Sequence, residues 1–489
     1  MTKKKQTLIG VGIALTLILM IAIIIGVISY RNYHATYIVI DDVEYLRAST
    51  SLDLSGKSIT ELEKLPELTQ LQELDLQDTG LTEAQYLDLQ AALPNCRIIW
   101  SVPFQDGYCP SDLTELTVAT LREDDFAVLG YLPDLVSVNA DGCQDYEVLM
   151  KLAEQHPELK ISYMVHFSSQ SVHNNVTQLD LTDPVAEELM TGLQYLPDVT
   201  NVNLQGTLPE VEELIVLQQA YPGVQFYWEF ELLGVPVNTL TEFIDLSNVK
   251  MEDTVELERY IPCFYNLAQV DMVSCGIANE EMAALNERYP DTKFVWKVAV
   301  YGTYVRTDIT WFMPVKLHLA GGSLTNLKYC TDMVVMDFGH YGITDISYVE
   351  YMPNLKYFLA CESDIKDISP LANCTSLEYL ELADSPIYDL WPLTNLTNLK
   401  DLNLAGTPHK EDYGPVTFHD HTPLLQMTWL DRLWLPHCKL GSERREEIRA
   451  ALPDTELVFY STGNTTSGFR HTPRYYAQRD LLGMRYYTN

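Results

Sequence analysis

A 22-residue period constrains the fold of this chain more than any other feature of its sequence. When Leu355, Leu377 and Leu399 are placed in register, the copies NLKYFLACESDIKDISPLANCT, SLEYLELADSPIYDLWPLTNLT and NLKDLNLAGT align without gaps. Met333 begins an earlier copy of the same repeat. One copy cannot bury its own leucines, so neighbouring copies have to stack into a solenoid.

The x-L-x-L-x stretch of each copy predicts a short strand. Its leucines point into the solenoid, while the alternate residues face out on the concave side, where we expect them to be exposed. Stacked copies turn these strands into a parallel ladder. Three further apolar columns, which begin at Ile343, Ile346 and Val349, recur with the same period.

The L-x-x-L-x-L pattern followed by an apolar turn resembles leucine-rich repeats, and the I-x-D-I-S-P-L segment resembles their internalin-type subclass. The resemblance covers residues 333–435 closely and residues 44–302 loosely. It implies an α/β solenoid with a curved parallel β ladder on the concave face and helices and 3-10 turns on the convex face. It also implies a role in adhesion or protein binding.

The strand motif recurs upstream in a longer unit of about 64 residues. Strand-like segments begin near residues 113, 176 and 241, and their partners near 135, 199 and 267, with apolar residues at helical spacing between them. Each unit closes with a proline and an aromatic residue six positions later, as in Pro94 with Trp100 and Pro222 with Trp228. We expect two ladder turns per unit and one additional strand that leaves the ladder.

Residues 8–29 form an uncharged apolar run. At ~1.5 Å per residue it would be about 33 Å long, enough to cross a hydrocarbon core of ~30 Å. Lys3, Lys4 and Lys5 precede the run and only Arg31 follows it, which predicts a cytoplasmic N-terminus and an extracellular ectodomain. A cleaved signal peptide is the alternative, but its apolar region would be shorter.

These patterns predict the organisation of the chain. We expect a cytoplasmic N-terminus (1–7), a transmembrane helix (8–29), a juxtamembrane linker (30–43), a divergent long-repeat region (44–302), a 22-residue repeat region with a loop insertion at 408–423 and a closing helix and strand (303–463), and a basic aromatic tail (464–489).

The net charge of the chain limits its partners. The formal net charge is −36, and it becomes −43 for residues 32–463 once the four basic residues before them and the net +3 of the tail are set aside. An ectodomain with this much negative charge repels nucleic acid. We therefore do not expect nucleic acid as a partner.

The nine cysteines do not predict a disulfide scaffold. Leucine-rich repeats usually place Asn, Cys, Thr or Ser three residues after the last leucine of L-x-L, where the side chain bonds the turning backbone. The cysteines in that column are Cys143, Cys275 and Cys438. Cys330 and Cys374 occupy a core column. A disulfide between Cys96 and Cys109, which could bridge a hairpin, is the one pairing that the sequence leaves undecided.

The register places aromatic and charged residues together on the concave face. The predicted ligand-binding residues are Tyr357, Tyr379, Glu381, Asp401, Asn403, Arg432 and Trp434. Large exposed aromatic side chains beside charges are typical of binding hot spots, so this face is expected to recognise a protein or glycan. The alternative is a tyrosine ladder that only stabilises the sheet by cross-strand packing.

The insertion after Thr407 is expected to project from one rim of the solenoid and to contribute specificity. Its candidate residues are His409, His419 and His421. The same histidines, with nearby carboxylates, leave open a metal-dependent hydrolase that uses residues 409–421. We expect neither a metal nor a cofactor, because the nucleophile, phosphate-loop, zinc-protease and dinucleotide motifs are missing from the sequence.

The tail carries four arginines and five aromatic residues in GFRHTPRYYAQRDLLGMRYYTN. We expect it to cap the last turn of the solenoid, with its arginines paired to the acidic body. A tail that recruits a partner protein or an anionic wall polymer is the alternative.

The sequence thus favours a non-catalytic, single-pass protein of the bacterial cell surface that binds its partner through the concave face of an acidic solenoid. The rival interpretation is a structural or regulatory envelope component that organises a membrane complex.

Overall fold

The computed structural model describes residues 3–314, 322–407, 420–461 and 468–484, with side chains from residue 10 onward. The chain forms two compact units, which we call unit 1 (Met1–Phe226) and unit 2 (Tyr227–Asn489). Unit 2 therefore begins inside the predicted long-repeat region 44–302.

The apolar N-terminal run forms one helix, α1 (Lys3–Thr36), which extends on both sides of the predicted 8–29 segment. Its part Gly10–Thr36 is long and apolar enough to cross a membrane and is not buried inside the protein. The helix continues past Arg31 and ends where strand β1 begins at Tyr37.

Unit 1 and the start of unit 2 are built from groups of three strands followed by a hairpin. The strands up to β21 are β1 (Tyr37–Ile40), β2 (Val43–Leu46), β3 (Ser51–Asp53), β4 (Glu73–Leu76), β5 (Arg97–Phe104), β6 (Gly107–Pro110), β7 (Glu115–Thr117), β8 (Ser137–Asn139), β9 (Lys160–Ser162), β10 (Met164–His166), β11 (Ser171–His173), β12 (Gln178–Thr182), β13 (Asn201–Gln205), β14 (Gln225–Tyr227), β15 (Glu229–Leu232), β16 (Val235–Asn238), β17 (Phe243–Asp245), β18 (Gln269–Asp271), β19 (Lys293–Val295), β20 (Lys297–Val300) and β21 (Thr303–Arg306).

The additional strand that we expect to leave the ladder in each long unit does so only in its second half. The third strand first pairs in parallel with the second, as Arg97 with Glu73 and Lys293 with Gln269, and only the segment after it turns back as an antiparallel hairpin. The reason is the aromatic residue after the proline, because Trp100 is fully buried and holds the strand against the core.

Helices connect the strands on the other side of the coil. The α-helices after α1 are α2 (Glu83–Ala92), α3 (Tyr146–Gln155), α4 (Ala186–Gly192), α5 (Val211–Ala220), α6 (Val255–Tyr260), α7 (Asn279–Arg288), α8 (Thr422–Gln426), α9 (Ser442–Ala451) and α10 (Pro473–Leu481). The 3-10 helices are Leu62–Glu67, Glu123–Tyr131, Leu193–Tyr195, Ile261–Cys263, Thr325–Tyr329, Ser347–Tyr351, Ser369–Asn373 and Trp391–Asn395.

The 22-residue repeats form a seven-stranded parallel sheet in unit 2. Its strands are β22 (Trp311–Phe312), β23 (Val335–Asp337), β24 (Tyr357–Leu359), β25 (Tyr379–Glu381), β26 (Asp401–Asn403), β27 (Arg432–Trp434) and β28 (Glu456–Val458). Leu355, Leu377 and Leu399 are fully buried, and the strands that follow them pair in the predicted order. The predicted stacked ladder is confirmed.

The cysteine columns are buried, and the nine cysteines, all within the described ranges, are thiols rather than disulfides, Cys96 and Cys109 included. The Sγ of Cys438 lies 2.9 Å from the carbonyl oxygen of Leu404, and the hydroxyl of Thr407 donates to the carbonyl of Leu382 over 2.9 Å. Thiol and hydroxyl thus bond the turning backbone one coil back, as the repeat column predicts.

Candidate functional site

The outward side chains of β23–β27 form the face that the sequence singles out, and we call it the concave face. One column of the register runs from Tyr357 through Tyr379 and Asp401 to Arg432. The next column runs from Leu359 through Glu381 and Asn403 to Trp434. Every predicted ligand-binding residue of the sheet therefore lies in two adjacent columns.

The expectation that this face is exposed is wrong. The side chains with no exposed surface are Tyr379, Glu381, Asp401 and Asn403. Tyr357 and Trp434 keep 7% and 8% of their surface, and the Arg432 side chain keeps 13%. The covering material is part of the chain's own tail, residues 468–484, which we call the basic segment.

The basic segment is a turn followed by a short helix. Gly468–Arg470 form the turn, and the hydroxyl of Thr472 then accepts from the backbone N–H of Tyr475 over 3.2 Å. Pro473 begins α10, where its fixed φ suits a first helical position. This cap fixes the direction in which the helix leaves the turn.

A second apolar cluster, separate from the core of the solenoid, forms between the basic segment and the sheet. Phe469 is fully buried there, with its ring centroid 5.2 Å from that of Tyr379 and 6.0 Å from that of Trp434. Its buried members are Val335, Tyr357, Leu359, Cys361, Tyr379, Ala383, Ala405, Trp434, Phe469 and Leu482. The sheet is therefore packed on both faces.

Two arginines of the basic segment reach buried carboxylates on the sheet. Arg470 donates from Nη2 and Nε to the carboxylate of Glu381, over 2.8 Å and 3.1 Å, and the Tyr379 hydroxyl donates to the same carboxylate. Arg474 donates to Asp401 over 3.0 Å and to the half-exposed Asp431 over 2.7 Å. A buried charge is tolerated only when it is paired in this way.

Arg432 ties the turn of the basic segment to the last strands. Its Nη1 donates to the carbonyl oxygen of Phe469 over 2.8 Å, and its Nε donates to Glu456 over 2.9 Å. The guanidinium carbon lies 5.3 Å from the Phe469 ring centroid and 5.6 Å from that of Trp434. Cation–π contact of this kind adds to the hydrogen bonds.

Burial and pairing set the titration of these groups. Burial alone would lower the pKa of Arg470, but hydrogen bonds and attraction from Glu381 outweigh it and raise that pKa, which keeps the guanidinium charged. Burial raises the pKa of Asp401, and Arg474 opposes the shift. Burial also raises the pKa of Tyr379 well above its usual value and that of the Cys361 thiol to about 12.

Two of the three loop histidines, His409 and His419, lie outside the described residues. His421 precedes α8 with its Nε2 2.6 Å from a carboxylate oxygen of Glu447. Within the described ranges no group of three metal-ligating side chains comes together. The roles of this loop in specificity or metal binding stay predictions.

The residues that sequence reasoning missed at this site are those that cover it. The expected pairing of the tail arginines with acidic residues is confirmed for Arg470 and Arg474, but residues 468–484 lie on the sheet from Cys361 to Trp434 rather than on the last turn alone. The signal was present in one strand, β24, whose sequence YFL at Tyr357–Leu359 is apolar at every position. Strands without alternation are typical of sheets buried on both faces.

Comparison with known proteins adds structural neighbours only. Neither a family model nor a curated protein sequence matches the chain. Among solved structures, an internalin (inlF) of Listeria monocytogenes is similar at 15% identity over 86% of this chain and 84% of its own, with a TM-score of 0.25. Internalin C2 of the same organism is similar at 18% identity over 47% of this chain and 82% of its own, with a TM-score of 0.25. A leucine-rich repeat protein of Leptospira interrogans is similar at 14% identity over 84% and 96%, with a TM-score of 0.19.

The stacked register of β22–β28 decides the fold. The chain has a leucine-rich repeat fold. Its 22-residue repeats supply the concave face, and its basic segment covers that face.

Proposed function

We propose that this leucine-rich repeat protein is a non-catalytic, membrane-anchored receptor that binds a polypeptide through the concave face of unit 2. One observation carries the proposal. The face already holds a polypeptide segment, with Phe469 between two aromatic side chains and Arg470 on the buried Glu381. A surface that binds one such segment has the groups needed to bind another.

The chemistry of the face favours protein over the other partner classes. Glu381 and Asp401 are carboxylates that pair with guanidinium groups, which glycans lack. Nucleic acid is disfavoured because a chain of net charge −36 repels its phosphates. A basic polypeptide is the partner that complements these charges.

In this proposal, helix α1 is the membrane anchor and the solenoid lies outside the cell. Helix α1 would span the membrane with Lys3, Lys4 and Lys5 in the cytoplasm, in keeping with the positive-inside rule. Protease added to intact spheroplasts should digest units 1 and 2 and leave a membrane-bound fragment that contains α1. Full protection of the solenoid until the cells are lysed would contradict the orientation.

Binding is tested by photocrosslinking from the rim of the face in living cells. A photoreactive residue at Ser376, which lines an open cleft of about 380 Å³ with Arg474 and Lys400, should form an adduct with a protein partner. The same residue at the exposed Glu350, in the 3-10 helix Ser347–Tyr351, is the matched control and should form none. Adducts of equal yield at both positions, or none at Ser376, would refute recognition through this face.

A further inference from the structure

We infer that the concave face of unit 2 is a receptor site for one class of ligand, a short arginine–aromatic segment, and that the basic segment occupies it in cis until such a segment displaces it. This inference rests on the proposed function and names its partner chemistry and its regulation. The partner is an external polypeptide that presents an aromatic residue followed by arginine, with a second arginine–tyrosine pair four positions on.

The pattern is read from the contacts of the present occupant. Phe469 fills the space between Tyr379 and Trp434, and Arg470 next to it pairs with Glu381. Arg474 then reaches Asp401 on the neighbouring strand. Adjacent strands lie ~4.8 Å apart, and the turn Gly468–Arg470 followed by the start of α10 brings Arg470 and Arg474, four residues apart, to carboxylates on β25 and β26.

The fit of the present occupant is incomplete, which makes it displaceable. Among the described residues, Asp401 Oδ1 and Asn403 Nδ2 are buried without a hydrogen-bond partner, and so are both amide atoms of Gln478 on α10. Gln478 itself has no exposed surface. A competing segment that donates to Asp401 and accepts from Asn403 would satisfy groups that the basic segment leaves unpaired, and would bind more tightly for that reason.

Covalent tethering explains how an imperfect segment keeps the site closed. A tethered segment acts at an effective concentration of about millimolar, so an external segment of equal intrinsic affinity competes poorly. Weakening the tethered segment should therefore increase the apparent affinity for the same segment added from outside.

Cys361 reports whether the face is open. It belongs to the cluster under the basic segment, and Arg470 Nη2 lies 3.4 Å from its sulfur. Cys374 lies instead in the core of the solenoid and is fully buried. If Cys361 is alkylated while Cys374 stays unreacted, the concave face is uncovered and the solenoid is still folded. If both cysteines are alkylated, the solenoid has unfolded.

The test uses the full chain in nanodiscs with the substitutions Arg470→Glu and Arg474→Glu, and a synthetic peptide of residues 468–484 as the probe. The matched control carries Arg445→Glu and Arg449→Glu on α9, which changes the charge equally away from the face. Peptide affinity is measured by calorimetry, and alkylated cysteines are identified by mass spectrometry.

We expect the double variant to bind the peptide at least about tenfold more tightly than the wild type or the control. Cys361 should be alkylated about tenfold faster in the double variant, and peptide at saturation should reverse the increase. Cys374 should stay protected throughout.

Three outcomes would overturn the inference. In the first, Cys361 is alkylated rapidly in the double variant but the peptide does not bind. In the second, a peptide with both arginines changed to glutamate binds as tightly as the original peptide. In the third, Cys361 and Cys374 are alkylated together, which would mean that the basic segment is a structural cap. If any of these occurs while Ser376 still forms its adduct in cells, the proposed function stands without the inferred partner class. If the photoreactive residue at position 376 forms no adduct in cells but the peptide binds in vitro, the concave face recognises only the chain's own basic segment.

Discussion

At the residue scale, Gly468 occupies a position that leaves no room for a side chain. A Cβ added there would lie 2.7 Å from Cη2 and 3.0 Å from Cζ2 of Trp434. The indole also contacts Arg432 and Phe469, so a shift away from Gly468 would disturb those contacts. Gly468 therefore permits the turn of the basic segment to lie directly on the indole.

The first prediction follows from this contact. Gly468→Ala should loosen the basic segment by about 1–3 kcal/mol, the usual cost of overpacking. The alkylation rate of Cys361 should rise about tenfold or more, since 1.4 kcal/mol corresponds to a factor of ten. Gly441→Ala, at a position where a Cβ meets no atom within 4 Å, is the control. An unchanged rate for Gly468→Ala would contradict the role assigned to the turn.

Asp401 gives the second prediction, which concerns pH. Because burial raises its pKa in the folded state, Asp401 binds a proton more readily there than in the unfolded chain. The group therefore adds stability below its unfolded pKa, and this contribution is lost as the pH rises through the raised folded pKa. The melting temperature of the wild type minus that of Asp401→Asn should accordingly decrease from about pH 4 to about pH 7.

Asp431→Asn is the control for the pH experiment, because it removes the half-exposed partner of the same Arg474. Asp401→Asn keeps an oxygen that can accept from Arg474, so the comparison isolates the charge. If the difference for Asp401→Asn increased with pH, the pairing with Arg474 would outweigh burial and the assignment would be wrong.

At the element scale, the third strand of each long unit is held by an aromatic side chain. Trp100 ends the parallel part of β5, where it pairs in register with Leu76. Its ring stacks on Tyr86 at 4.5 Å between centroids and meets Tyr131 edge-on at 5.8 Å. This packing keeps the strand in the ladder before the hairpin turns away.

The third prediction tests that anchor. Trp100→Ala should lower the free energy of unfolding of unit 1 by about 3–5 kcal/mol, as large-to-small changes of fully buried aromatic residues do. Tyr108→Ala on β6, whose side chain is 72% exposed, should change it by less than about 0.5 kcal/mol. Urea denaturation of both variants provides the measurement, and equal effects would show that the hairpin rather than the indole holds the strand.

The elements also show what the sequence could predict. Stacking of Leu355, Leu377 and Leu399 was predictable because identical spacing forces identical coils, and the cysteine and threonine column followed from the same register. The parallel pairing of the third strand with the second was not predictable, because Pro94 and Trp100 indicate a strand but not the strand with which it pairs. The position of the basic segment was least accessible, because Arg470 and Glu381 are 89 positions apart and no periodicity links them.

At the scale of the whole molecule, charge acts in two different ways. The chain carries a net −36, so its exposed carboxylates repel one another and destabilise the folded chain at low ionic strength. The pairs that hold the basic segment are different, because the side chains of Glu381 and Asp401 have no exposed surface. Salt screens exposed charges strongly and buried pairs much less.

The fourth prediction separates these two effects in one experiment. The melting temperature of the full chain in nanodiscs of neutral lipid should rise between about 10 mM and about 1 M NaCl, as the Debye length falls from ~30 Å to ~3 Å. Potassium fluoride at matched ionic strength should give the same rise if screening is the cause. Alkylation of Cys361 should stay slow across the whole range. Faster alkylation at high salt would mean that long-range attraction, rather than the buried arginine–carboxylate pairs, keeps the basic segment on the sheet.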